Sequence, residues 1–139
     1  MHVTTWLEIG LMSAAVVQWL VALLNLLLVR LLGWSEHLGL LPLLVRQVFH
    51  VHLWFISITV AIFGTLTWRF AGEMSSGSPR IAIWLAGAIG LFWGVRTAIQ
   101  WVYYSPAHWR GRAGRTLIHW VLTGVYCAMA LVYLLAAFL

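Results

Sequence analysis

Four apolar runs, over residues 6–32, 43–70, 80–104 and 115–138, occupy nearly all of this 139-residue chain. A helix needs about 20 mainly apolar residues to cross a bilayer, so each run is long enough to span one with some tilt. The sequence therefore predicts an all-α, integral membrane four-helix bundle forming one membrane domain. Composition agrees, because 63% of the residues are hydrophobic and 8% charged, against about 25% charged in ordinary soluble domains.

The connections between the runs are short and rich in turn residues, such as Ser75-Ser76-Gly77-Ser78-Pro79 and Ser105-Pro106. Short connections force neighbouring helices to run antiparallel, which gives an up-down-up-down order. Arginine then sets the orientation. The formal charge of +5 rests on arginine alone, since lysine is absent. Arg30, Arg46, Arg110, Arg112 and Arg115 flank the first and third connections, and Arg69 and Arg80 flank the second. The positive-inside rule puts the richer side in the cytoplasm, with both termini on the other, as in a bacterial inner-membrane protein. No basic run is long enough for a nucleic-acid arm, so nucleic acid is not an expected partner. Glu8 stands where a signal peptide would carry positive charge, so the first span is read as retained. The single cysteine, Cys127, has no partner for an intrachain disulfide.

Tryptophan is abundant, with 10 residues. Trp6, Trp34, Trp68, Trp101 and Trp109 fall near span ends, where headgroup-level aromatics belong. Trp54, Trp84 and Trp93 lie deeper and read as packing or lipid contacts.

Polar groups inside a span are costly, so each needs a partner or a purpose. Helical spacing sorts them onto faces. In the first span Gln18 and Asn25 share a stripe with Ala14, Ala15 and Ala22. In the second, Gln47 and His50 line up with Trp54, Ser57, Ala61, Gly64, Thr65 and Trp68, whereas His52 projects roughly opposite. In the fourth, Thr116, His119, Thr123, Tyr126, Ala130 and Tyr133 make a small or polar stripe. The third span carries Arg96, Gln100 and Tyr103 on one side, with Arg96 roughly 12 Å from its cytoplasmic end. Its other side carries Gly87, Gly90, Gly94 and Ala98, a seam for close helix packing within the bundle, in a homo-oligomer or in a larger membrane complex.

Counted inward from the cytoplasmic ends, Asn25, His50, Arg96, Gln100 and His119 fall in one polar layer. The expectation drawn from it is a small redox or cofactor-binding membrane protein. His50 and His119 would ligate a haem b iron or another metal. Arg96 would neutralise an anionic group, with Gln100, Gln47, Asn25 and Tyr126 completing the shell and electron transfer with quinone as the work. Two further classes compete with it: binding or transport of a small anionic or amphipathic molecule, and a structural subunit docked through the glycine seam. An enzyme using histidine as acid or base lacks an evident nucleophile. Phosphate loops, Cys-x-x-Cys and His-Glu-x-x-His motifs are all missing from the sequence.

Overall fold

The computed structural model describes residues 2–31, 33–102 and 113–139, which are helical apart from short turns. The elements in chain order are α1 (His2–Leu31), α2 (Ser35–Gly39), α3 (Leu43–Ser76), α4 (Arg80–Val102) and α5 (Ala113–Phe138). Four of them, all but α2, are long and apolar enough to cross a membrane. The five-residue α2 was not expected; it occupies the first connection and buries Leu38.

Glycine ends two of the long helices where the backbone must turn left-handed. At Gly33 φ is +64°, and the Trp34 amide reaches back to the Val29 carbonyl at 2.9 Å. Gly77, at φ +70°, closes α3 with its amide on the Glu73 carbonyl at 2.9 Å. Either position would strain a residue with a Cβ. α3 also departs from helical geometry at Phe70, with φ −115° and ψ 19°.

The chain divides into two compact units, Met12–Arg69 and Met1–Leu11 with Phe70–Leu139. In the first of these, α1 and α3 pack antiparallel: Ala15 faces Gly64 and Asn25 faces Ser57. Ala14, Ala15, Gln18 and Ala22 of α1 and Ser57, Val60, Gly64 and Thr67 of α3 are buried, most of them small. A Cβ at Gly64 would lie 2.9 Å from the Trp19 ring and 3.0 Å from the Ala15 carbonyl oxygen. Only glycine lets the two backbones come this close.

In the second unit α4 and α5 are the principal pair, also antiparallel. Gly87 lies opposite Ala137, and Gly90 opposite Tyr133 and Leu134. Trp93 and Tyr126 stack between them, and Ala86, Ile89, Met129 and Tyr133 are buried on the same two helices. The first turns of α1 join this unit: Gly10 lies against Val132, and Glu8 approaches Gly72 at the end of α3.

Large apolar side chains such as Leu20, Leu23, Phe55, Leu117 and Val121 point away from the chain. Hydroxyls turn inward on their own helices. Ser57, Thr59, Thr65, Thr67, Thr97 and Thr123 each donate to the carbonyl four residues back, at 2.7–2.9 Å. Local bonds of this kind satisfy a hydroxyl where no water is at hand.

Candidate functional site: a polar chain on α4 and α5

α4 places Trp93, Arg96 and Gln100 on adjoining turns, and α5 does the same with His119, Thr123 and Tyr126. Spacings of three and four residues stack side chains along one helix face, so the antiparallel pair brings the two sets together. Arg96 donates from Nη1 to Gln100 Oε1 at 3.0 Å. Gln100 Nε2 in turn meets His119 Nδ1 at 2.9 Å. The Arg96 guanidinium carbon lies 4.9 Å from the Tyr126 ring centroid, and Tyr126 stacks on Trp93 at 5.2 Å. Gln100 and His119 are buried, while Arg96 is half-buried. Arg96 lies about 9 Å from the Val102 end of α4 at 1.5 Å per residue.

The bonds in this chain have a fixed direction. A guanidinium has only donors, so the atom of Gln100 beside Arg96 is its oxygen. The amide nitrogen therefore faces His119, and Nδ1 accepts. Among the described residues, every buried side-chain nitrogen and oxygen has a partner. Beside the chain, the His119 ring meets the edge of Trp120 at 5.2 Å, and Trp120 pairs with Trp101 at 6.0 Å. Both tryptophans are largely exposed.

Four of the residues expected from sequence, Arg96, Gln100, His119 and Tyr126, are thus in contact through one chain of bonds. The others lie in the Met12–Arg69 unit. Asn25 is committed to α3: its Nδ2 donates to Ser57 Oγ at 2.9 Å and to the Leu53 carbonyl at 3.3 Å. Gln47 and His50 were expected on the inner face of α3 and are instead exposed. The inner face runs through Phe49, Leu53, Ser57, Val60, Gly64 and Thr67, turned by close to one residue from the expected stripe. Trp54 and Trp68 are correspondingly exposed. His50 keeps an edge-on contact with Phe49 at 5.9 Å.

The glycine seam of α4 also reads differently. Gly87 and Gly90 face α5, whereas a Cβ at Gly94 would meet nothing within 4 Å, and Ala98 is exposed. Tyr103, His108 and the basic 105–112 connection lie outside the described residues, and the side chain of Thr116 is likewise not described.

Comparison with protein-family models, with curated proteins and with solved structures finds no match to this chain. The site must be read from its own chemistry.

One participant escaped the sequence reading. Trp93 was read as packing, yet it lies three residues before Arg96 and carries the Tyr126 ring on which the guanidinium rests. The i, i+3 spacing was the available signal. Apart from this site, in the Met12–Arg69 unit, His52 Nδ1 lies 2.9 Å from the Val48 carbonyl of its own helix. A carbonyl can only accept, so Nδ1 carries hydrogen there. Among the described residues no three His, Cys, Asp or Glu side chains cluster around a common point.

Proposed function

We propose that this chain is an integral membrane protein that binds a small anionic or amphipathic molecule through Arg96. The supporting observation is the ordered chain Arg96–Gln100–His119, with the guanidinium laid over Tyr126. An arginine in an apolar span is costly. One hydrogen bond and one aromatic face fix the guanidinium in place, a planar cation whose geometry suits a carboxylate, a phosphate or a quinone carbonyl. Trp101 and Trp120, exposed beside His119, offer flat apolar surface for the hydrophobic part of such a ligand. On this reading the first and third connections face the cytoplasm of a bacterial cell, and the ligand enters from the bilayer's cytoplasmic half.

Haem b held by His50 and His119 asks more of these residues. Ligation through His119 Nε2 requires that atom to give up its hydrogen to Nδ1. Gln100 would then have to turn its oxygen to His119 and its amide nitrogen to Arg96, setting donor against donor. An absorption spectrum of the purified chain separates the two: the anion reading expects no Soret band, and a Soret band lost in His119→Gln would replace it.

Binding is tested with the chain in detergent, titrated with a short-chain quinone and with a medium-chain fatty acid while tryptophan emission is followed. A charge-assisted hydrogen bond contributes about 1.5–3 kcal/mol, so Arg96→Ala should weaken saturable binding by about tenfold or more. No saturable binding by either probe, or binding indifferent to Arg96→Ala, ends the proposal.

A further inference from the structure

We infer that the exposed indoles of Trp101 and Trp120 form a right-angled corner that seats the planar head of a quinone, so that the ligand of this site is an electron-poor ring and not an aliphatic anion. The inference rests on the proposed ligand site and narrows the class of molecule it admits.

The register of α4 and α5 makes the corner. Gln100 meets His119 across the pair, and the next residue on each helix is a tryptophan. The two rings stand 6.0 Å apart at 88°, an edge-to-face arrangement that leaves broad indole faces uncovered. Trp101 is 66% exposed and Trp120 54%. Small residues one turn away keep the space beside them open. Ala98, three before Trp101, is exposed, and Gly124, four after Trp120, has nothing within 4 Å of where a Cβ would stand. Counted from the Val102 end of α4 and the Ala113 end of α5, both lie deeper than the tryptophans. A ring seated on the indoles would lead its chain past Ala98 and Gly124 toward the middle of the spans. The His119 ring, 5.2 Å from Trp120, joins the corner to the polar chain.

Electrostatics selects the occupant. The face of an indole carries the negative part of its quadrupole. It repels a carboxylate or phosphate and attracts a ring whose electrons are drawn off by carbonyl groups, as in a quinone. A cation would also favour an indole face. Arg96, however, holds positive charge behind Gln100 and His119, which disfavours a second cation. A neutral, electron-poor ring bearing oxygens meets both conditions, whereas a fatty acid gains from the corner only by covering its area.

The test is magnetic resonance of the full chain in micelles, with isotope-labelled indole nitrogens, titrated with a benzoquinone carrying a decyl chain and separately with decanoate. Trp101 and Trp120 are assigned by the signals lost in Trp101→Phe and Trp120→Phe. The quinone should shift both signals saturably in the wild type, and decanoate at the same concentration should leave them in place. Trp101→Leu and Trp120→Leu should each weaken quinone binding, read by equilibrium dialysis, by about two- to tenfold, and the phenylalanine variants should retain most of it. Wild-type indoles unmoved by the quinone, or moved equally by decanoate, overturn the inference whether or not the variants fold. So does quinone binding indifferent to both leucine changes. Binding that depends on Arg96 but leaves the two indoles unmoved would defeat this inference and keep the proposed function. Indoles shifted by the quinone alone, with affinity unchanged in Arg96→Ala, would do the reverse.

Discussion

A buried polar side chain is judged by what its removal leaves behind. Asn25 and Gln100 have similar chemistry and opposite consequences. Asn25 donates to Ser57 Oγ and to the Leu53 carbonyl, but Ser57 already bonds Leu53 for itself at 2.9 Å. Asn25→Leu therefore deletes one interhelical link and orphans little, at a cost of about 0.6–1 kcal/mol. Gln100→Leu strips a partner from both Arg96 and buried His119 at once. Its expected cost is larger, about 1–3 kcal/mol, because two side chains lose a hydrogen bond at once. Unfolding of the two variants in mixed micelles checks this order; equal costs would mean that the Arg96–Gln100–His119 chain carries no special burden. The sequence already pointed to these residues, since an arginine and a glutamine one turn apart on an apolar helix need a partner and a histidine near the start of the next span is an available one. What it lacked was direction, because a glutamine's two ends are alike until the neighbour of each is known.

Among the elements, legibility followed how far burial alone decides a helix's face. On α1 the alternation of alanine with Gln18 and Asn25 marked the packed side, and on α5 the run His119, Thr123, Tyr126, Ala130, Tyr133 did the same; the described members are buried apart from half-buried Asn25. On α3 the polar residues misled. The helix has 34 residues, about 51 Å at 1.5 Å per residue, well beyond the roughly 30 Å of a bilayer's hydrocarbon. Gln47 and His50 sit in its first turns, where headgroups and water can satisfy them, so polarity there gives no reason to face inward. The contact is instead set by size, and Gly64 is its tightest point. Gly64→Ala should cost about 1–3 kcal/mol, because the added methyl presses on the Ala15 carbonyl and the Trp19 ring. Gly94→Ala, where nothing lies within 4 Å, should be neutral or slightly stabilising through helix propensity. Thermal melts of the pair decide it, and a Gly64→Ala melt at the wild-type temperature would show the α1–α3 approach to be looser than described.

At the scale of the whole molecule the decisive quantity is where charge falls along a chain that is otherwise apolar. Five arginines border the first and third connections and two border the second, a bias that sets orientation because arginine is costly to carry across a membrane. α2 adds nothing to that bias, since within Ser35–Gly39 it has Glu36 and no arginine. Residues 33–42 should accordingly lie inside the cell and residues 71–79 outside. Cysteine probes test this once the native Cys127 is replaced by serine. Gly39→Cys, in a backbone with open space around it, and Ser76→Cys, exposed at the end of α3, should react with a membrane-impermeant maleimide from opposite sides. Intact spheroplasts should label position 76 and spare position 39 until the membrane is opened. The reverse pattern would invert the topology and bring Arg96 and His119 to the outer half of the bilayer, where a cytoplasmic ligand could not reach them. Labelling of both positions in intact cells would mean that one of the four spans does not cross at all.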